Sequence, residues 1–161
     1  MVKKEILKFS TIDCIIISLV FLLLTYTWCV IIIAYPNLPD SIAIHFDGSG
    51  NPDGYSSKGS IWLVPSFFTI LCIALIFSAK YPEQLSFTKK KISEKEKKAH
   101  SKKGLFASLL CSSLLILITH STIRTSIDKH NNPMFWIIPT VFVLITLFLA
   151  SIFYYKYKYL K

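Results

Sequence analysis

Four long stretches of this 161-residue chain contain no Asp, Glu, Lys or Arg. They are residues 14–34, 61–79, 104–123 and 134–155, and each is 19 to 22 residues long. As helices rising ~1.5 Å per residue they would reach ~28–33 Å, enough to cross a hydrocarbon core of ~30 Å. We therefore predict an all-α integral membrane protein, a single membrane domain with four transmembrane helices.

The remaining composition agrees with this class. Only 17% of the residues are charged, whereas soluble domains carry about 25%. All four cysteines lie inside the predicted spans, so we expect them to act as packing residues and not as a disulfide framework. The first stretch is longer than the ~7–15 apolar residues of a signal peptide and no A-x-A site follows it, so we expect it to remain as a span.

Positive charge is concentrated in segments that alternating spans would place on one side. The loop of residues 80–103 holds nine Lys and three Glu, and each terminal tail holds three more Lys. That side receives 15 of the 18 Lys and Arg residues, whereas the other receives Lys58, Arg124 and Lys129. Because short basic loops stay in the cytoplasm, we predict a multi-pass protein of the cell membrane with cytoplasmic N- and C-termini. The lipid bilayer is then the expected partner of these charges, and no nucleic-acid partner is needed.

The loop between the first two stretches, residues 35–60, is predicted to fold. It contains four of the five glycines and three of the seven prolines of the chain. Ile42, Ile44 and Phe46 alternate with small or polar residues, which is typical of a short strand with one apolar face. The eight residues that follow are rich in turn-forming Asp, Asn, Gly and Pro. We predict a short β-hairpin-like element on the outer membrane face.

This loop resembles a bacterial family of small membrane proteins known only as a domain of unknown function. The family pattern is P-x-L-P-x-x-I-x-x-H-F-x-x-x-G-x-x-D followed by a Lys. The chain matches it at Pro36, Leu38, Pro39, Ile42, His45, Phe46, Gly50, Asp53 and Lys58. A similar module forms the N-terminal part of immunity proteins of the SdpI type, which contain additional spans. The resemblance, over about residues 13–80, implies protection from a secreted toxin peptide or signalling at the membrane.

Seven residues of the loop are candidate ligand-binding or structural positions: Pro39, His45, Phe46, Asp47, Gly50, Asp53 and Lys58. In the structural interpretation Asp47 and Asp53 cap turns, Asp53 foremost, while His45 bonds backbone and Gly50 allows the chain to reverse. Imidazole and carboxylate groups also suit a divalent metal, and contact with an extracellular peptide is the third interpretation.

No metal site, cofactor or enzyme activity is predicted. The calcium-binding EF-hand pattern fails because Pro52 stands where its glycine belongs and Lys58 where its glutamate belongs. Ser56 and Ser57 near His45 are too common a combination to indicate a nucleophile with its base.

The Lys-rich inner loop, residues 80–103, contains a helix start signal. Ser93 and Glu96 form a capping-box pattern, so we expect the third helix to begin near residue 94 and to project ~15 Å into the cytoplasm. Glu94 is expected to pair with Lys98 one turn further on. A cytoplasmic protein is a candidate partner of this loop, and solvated charge beside the membrane is the simpler alternative.

Small residues are spaced to lie along helix faces. Gly104, Ser108 and Ser112 form such a row in the third stretch, and we predict that this row packs against another helix. A similar row in the first stretch comprises Cys14, Ser18, Phe21, Thr25 and Cys29. The rows could alternatively form a polar pathway, but they contain no ionisable side chain to support one.

Two functional classes remain open from the sequence. The first is a binding or signalling protein whose outer loop senses or blocks an extracellular peptide. The second is a small transporter or transporter accessory subunit. None of the four stretches has a carboxylate at mid-membrane, which disfavours proton-coupled transport. His120 is a candidate relay residue, but it lies near the end of its stretch, within reach of interfacial water.

Overall fold

The computed structural model describes residues 7–49, 51–82 and 93–127, a mostly helical structure with one small sheet. The helices are α1 (Thr11–Ala34), α2 (Leu63–Lys80) and α3 (Glu94–Ile127). The strands are β1 (Ser41–Phe46) and β2 (Pro52–Ser57), which pair antiparallel as a hairpin. Short 3-10 turns at Tyr35–Asn37 and Lys58–Trp62 join the hairpin to α1 and α2.

All three described helices are long and apolar enough to cross a membrane. The predicted span 14–34 lies in α1 and the span 104–123 lies in α3, while the span 61–79 begins in the 3-10 turn before α2. The fourth predicted span, residues 134–155, lies outside the described residues. The expected hairpin in the loop between α1 and α2 is confirmed.

Reciprocal capping fixes the start of two helices. The Ser10 backbone N–H donates to the Asp13 carboxylate at 2.9 Å, and the Asp13 N–H donates back to the Ser10 hydroxyl, which starts α1. Ser93 and Glu96 make the same pair of bonds, at 2.8 and 3.3 Å. The predicted start of the third helix near residue 94 is therefore confirmed.

The expected ion pair within α3 forms with a different partner. Glu94 accepts a hydrogen bond from Lys97 at 2.6 Å, at a spacing of three residues, and not from Lys98 as predicted. Residues three and four apart are both neighbours on a helix surface. Lys98 instead lines a pocket between the chain that enters α1 and the first turns of α3.

Helix α3 is the central element of the bundle. It packs along both α1 and α2, which contact each other far less. None of residues 101–123 is exposed, although α1 and α2 expose many large apolar side chains. The bundle is therefore organised around the third helix and not around the α1–α2 pair that the hairpin connects.

The two ends of the bundle differ in composition. At one end, here called the hairpin end, the hairpin lies against the end of α1, the start of α2 and the last turns of α3. At the other, here called the lysine-rich end, the Leu7 N–H donates to the Lys80 carbonyl, so the chain before α1 meets the last residue of α2. The first turns of α3 reach this same end, since Lys102 contacts Asp13.

The interface of α1 differs from the predicted one. All five residues of the predicted small-residue row, Cys14, Ser18, Phe21, Thr25 and Cys29, are exposed. Beyond its capping residue Asp13, which is buried in the first turn, the helix buries Val20, Leu24, Thr27 and Ile31. Aliphatic side chains make many van der Waals contacts when they pack against another helix. The one polar member of these four, Thr27, donates its hydroxyl proton to the Leu23 carbonyl at 2.9 Å.

Candidate functional site

The turn of the hairpin is closed by Asp47. Its carboxylate accepts the backbone N–H groups of Ser49 and Asn51 at 2.9 and 2.8 Å. Its own N–H donates to the Asn51 carbonyl at 2.9 Å. Asp47 is thus the turn-capping carboxylate, the role that we predicted mainly for Asp53. Gly50, the predicted point of chain reversal, lies outside the described residues.

Asp53 pairs across the hairpin with His45. The His45 Nδ1 and an Asp53 carboxylate oxygen are 2.5 Å apart. Both side chains are open to the surroundings, at 72% and 47% exposure. His45 therefore bonds a side chain and not backbone as the structural interpretation expected, and the two residues form one exposed polar pair.

Gly54 makes this pairing possible. His45 and Gly54 are cross-strand partners, next to register shifts that mark a bulge. A Cβ atom added to Gly54 would lie 2.8 Å from the Cβ of His45, closer than two carbons can approach. Only glycine fits opposite His45 at this position. Because the requirement comes from a cross-strand contact, no local sequence pattern indicates it.

The hairpin is docked on the helices by its first strand. Ile42 and Ala43 are both fully buried, whereas Ile44 is 54% exposed. The predicted alternation of buried and exposed side chains along β1 is therefore only partly right. One backbone edge of the strand also lies against α3. There the Ala43 N–H donates to the Ser126 hydroxyl at 3.2 Å.

An apolar cluster holds the docked strand. Ile42 packs with Leu38 beside it, Ile31 from α1, Ile61 before α2 and Ile123 from α3. Each of these side chains is less than a tenth exposed. The cluster ties α1, α3 and the turn that leads into α2 to the base of the hairpin, so the hairpin is a packed part of the fold.

Lys58 closes the base of the hairpin. Its backbone N–H donates to the Asp40 carbonyl at 2.9 Å, and its ammonium group lies 3.8 Å from the Asp40 carboxylate. The same ammonium sits 5.5 Å from the centre of the Tyr35 ring. These contacts give Lys58 a structural role, with Pro39 exposed beside Asp40.

Aromatic residues join the two helices that flank the hairpin. The Trp28 ring stacks on Trp62 with centroids 5.8 Å apart, and Trp62 lies 5.2 Å from Tyr35. The Trp28 indole N–H donates to the Thr69 hydroxyl at 3.1 Å, which connects α1 to α2. The indole N–H of a tryptophan inside an apolar stretch needs a hydrogen-bond acceptor. The position of Trp28 within the first uncharged stretch could therefore have indicated a contact with a neighbouring helix.

A shallow apolar groove of about 130 Å³ runs beneath the hairpin. Ile42, Ile44 and Phe46 face it from β1, and Pro65 and Ile118 line it from α2 and α3. The three predicted strand residues thus share this groove, even though Ile44 is exposed at its mouth. Phe46 is half-buried there.

His120 of α3 lies beside Tyr26 of α1. The Tyr26 hydroxyl and the His120 Nε2 are 3.0 Å apart, and the two rings stack at 5.9 Å. Tyr26 is 47% exposed and His120 is half-buried. The histidine therefore has a local structural partner and does not line a cavity among those described.

The small-residue row of α3 lies against α2. A Cβ on Gly104 would lie 3.1 Å from the Leu75 carbonyl oxygen and 3.3 Å from the Ala79 Cβ. Ser108 and Ser112 are fully buried, and the Cys72 thiol of α2 lies 3.5 Å from the Ser108 carbonyl. The backbones of α2 and α3 approach closely along this row.

Within the described residues, no group of three or more His, Cys, Asp or Glu side chains is placed to hold a metal ion. The pair His45–Asp53 offers two ligands, and Asp47 is engaged by the turn. The exposed part of the hairpin thus carries one His–Asp pair beside a turn capped by Asp47.

Residues 21–69 match the sequence profile of a family described as Domain of unknown function (DUF1648). The matched stretch runs from α1 through the hairpin into α2 and ends before α3. This confirms a resemblance to a family of unknown function. No curated protein and no solved structure matches the chain.

Proposed function

We propose that the protein is a multi-pass protein of the cell membrane, with its hairpin end outside the cell and both termini in the cytoplasm. The exposed faces of α1 and α2 support membrane placement, because they carry large apolar side chains such as Phe21, Ile33, Phe67 and Ile70 at 50–74% exposure. A continuous apolar surface of this kind is unfavourable in water and is suited to lipid.

The charge distribution supports the orientation. The lysine-rich end carries Lys8, Lys80 and the lysines in the first ten residues of α3, whereas Lys58 and Arg124 are at the hairpin end. Cytoplasmic loops retain excess Lys and Arg during insertion. The lysine-rich end is accordingly assigned to the cytoplasm.

We infer that the hairpin binds an extracellular peptide, in immunity to a peptide toxin or in sensing one. The observation that carries this is the combination of a rigidly docked strand with an open second strand. β1 is fixed to α3 through Ala43 and Ser126, while β2 forms the other edge of the sheet. In the described part of the chain, the backbone of β2 bonds to β1 and, at its last residue, the Ser57 carbonyl accepts the Ser60 hydroxyl at 2.7 Å.

An unpaired edge strand is a ready template for an extended peptide. A peptide that adds to β2 would bond the outward backbone groups of that strand. Its side chains would meet His45, Asp53 and Tyr55, the last being 59% exposed. Backbone pairing would supply affinity and these three side chains would supply specificity.

The test is a killing assay on cells that differ only in this protein. Cells lacking it and cells producing it are exposed to dilutions of medium conditioned by neighbouring cells. We expect producing cells to survive higher concentrations of conditioned medium than cells that lack the protein. His45→Ala or Asp53→Ala should lower the highest concentration that the cells survive by about tenfold or more, as expected when a binding hot spot is lost.

The matched control is Gly48→Ala, a change in the same turn with no neighbouring atom within 4 Å of the added Cβ. All variants are compared at equal abundance in the membrane fraction. Deletion of residues 45–56 removes the whole proposed surface, so a deletion variant that still protects would refute peptide binding by the hairpin.

A transporter or accessory role is the weaker alternative. The uncharged segments 14–34, 61–79 and 104–123 offer no carboxylate to carry a proton or cation. The one carboxylate at the start of α1, Asp13, is engaged by Lys102. The proposal likewise includes no enzymatic step and no cofactor.

A further inference from the structure

A pocket at the lysine-rich end combines positive charge with an apolar wall. It has a volume of about 330 Å³ and lies between the chain that enters α1 and the first turns of α3. Lys8, Lys98 and Lys102 contribute to its lining. Its size is at the lower end of the range for small-molecule sites.

Two of the three lysine side chains have no partner among the described residues. Lys102 donates to the Asp13 carboxylate and to the Ser10 hydroxyl. The side chains of Lys8 and Lys98 make no hydrogen bond or ion pair with the described residues. Since Asp13 balances one of the three positive charges, the pocket retains a net charge of about +2, which favours an anion.

A buried hydroxyl in the wall has no hydrogen-bond partner among the described residues. Ser101 is 1% exposed, and its Oγ has no hydrogen bond within the described structure. A buried polar group without a partner is unfavourable, and a bound ligand is one of the ways in which such a group is satisfied. Ser101 lines the same pocket as Lys8 and Lys98.

Besides Ser10 and Asp13, which both bond Lys102, the remaining lining residues are apolar. They are Leu7, Phe9 and Ala99, and Ala99 is buried. A small inorganic anion would gain nothing from these side chains. An amphiphile would place its charged group among the lysines and its hydrocarbon against the apolar wall.

We propose that this pocket binds the phosphate headgroup of an anionic phospholipid, with the start of an acyl chain against Leu7 and Phe9. The inference rests on the proposed membrane placement, which puts the lysine-rich end at the anionic inner leaflet. It does not depend on peptide binding at the hairpin. Lys8 and Lys98 hold the phosphate, and Ser101 donates to one of its oxygens.

The test measures lipid binding by the purified, delipidated full chain in a neutral detergent. The probes are dioleoyl-phosphatidylglycerol, dioleoyl-phosphatidylcholine and inorganic phosphate. We expect phosphatidylglycerol alone to raise the melting temperature, by about 5 °C or more at a hundredfold excess over Kd. Equal stabilisation by phosphatidylcholine would overturn a charge-selective site, and equal stabilisation by inorganic phosphate would show a free-anion site and overturn the lipid assignment.

Variants test whether the pocket itself binds the lipid. Lys98→Gln should weaken phosphatidylglycerol binding about fivefold, as expected for one lysine at a lipid surface. Ser101→Ala should weaken it by a similar factor without lowering the lipid-free melting temperature, because it removes a hydroxyl that has no partner. The matched control is Lys95→Gln, an exposed lysine of the same helix outside the pocket.

Two results would contradict the assignment. If Lys95→Gln weakens binding as much as Lys98→Gln, the attraction is a diffuse surface effect. If Ser101→Ala and Lys98→Gln both bind phosphatidylglycerol like the unmodified protein, the pocket is not the site. Neither result affects the hairpin proposal, which is tested by survival of cells and not by lipid binding.

Discussion

His45 and Gly54 face each other across the hairpin so closely that a Cβ on Gly54 would lie 2.8 Å from the Cβ of His45. The contact involves the first side-chain carbon of His45, which no rotation of the imidazole can move. The hairpin can therefore keep its bulged register only with glycine at residue 54. This contact sets the geometry of the exposed His45–Asp53 pair.

Gly54→Ala is expected to destabilise the hairpin by about 1–3 kcal/mol, the usual cost of an overpacked contact. The measurement is hydrogen exchange of the β1 amides in detergent, where protection should fall. Gly48→Ala should leave protection unchanged, because its added Cβ has no neighbour within 4 Å. His45→Gly should relieve the effect of Gly54→Ala, whereas His45→Ala should not, since alanine retains the clashing atom.

The ion pair between Asp13 and Lys102 should stabilise the lysine-rich end. Asp13 is 5% exposed at its side chain and Lys102 is 29% exposed, so the pair lies between the buried and the exposed cases. We expect Asp13→Asn to lower the free energy of unfolding by about 2 kcal/mol. Surface ion pairs contribute ~0–1 kcal/mol, and breaking a buried pair costs ~3–5 kcal/mol. A double-mutant cycle with Lys102→Met, followed by melting in detergent, measures the coupling. Additive effects would show that the two residues do not stabilise each other.

Ser108→Leu should overfill the contact between α2 and α3. Ser108 is fully buried beside Cys72, so a larger side chain must displace one helix, at a cost of about 1–3 kcal/mol. Ser18→Leu is the matched control, because Ser18 is exposed on α1 and the same substitution there adds apolar surface to an open face. Melting curves of the two variants in detergent should differ, and equal curves would show that the Ser108 face is not a packing face.

The orientation can be tested with single cysteines in a background from which the four native cysteines are removed. Ser57→Cys, at an exposed position of β2, should react with an impermeant thiol reagent on intact cells. Lys95→Cys, exposed near the start of α3, should react only after permeabilisation. Ser101 would be a poor probe because it is buried. The reverse pattern of labelling would contradict the proposed topology.

Local signals in the sequence predicted much of the fold. The length of the uncharged stretches indicated the three described helices, and the Ser93–Glu96 capping-box pattern indicated the start of α3. Alternating apolar residues beside turn chemistry indicated the hairpin. Each of these patterns depends on residues that are close together in the sequence, so one sequence is enough to recognise it.

The sequence did not indicate which residues meet across the fold. The bulge that puts His45 opposite Gly54, the bond from Ala43 to Ser126 and the central position of α3 all depend on contacts between distant segments. Periodicity also misjudged the face of α1, because a row of small residues and a row of aliphatic residues lie on the same helix at similar spacing. Only packing against α3 distinguishes the two rows.

The bond from Ala43 to Ser126 joins residues 83 positions apart, and Ser126 lies beyond the stretch that matches the family profile. During synthesis at ~5–20 residues per second, Ala43 leaves the ribosome about 4–17 s before its bonding partner Ser126. Until α3 arrives, the Ala43 edge and the side chain of Ile42 have no cover from that helix. The hairpin therefore reaches its docked state only after α3 has been synthesised, and a chain that ends between α2 and α3 would lack the bond to Ala43 and the contact of Ile123 with Ile42.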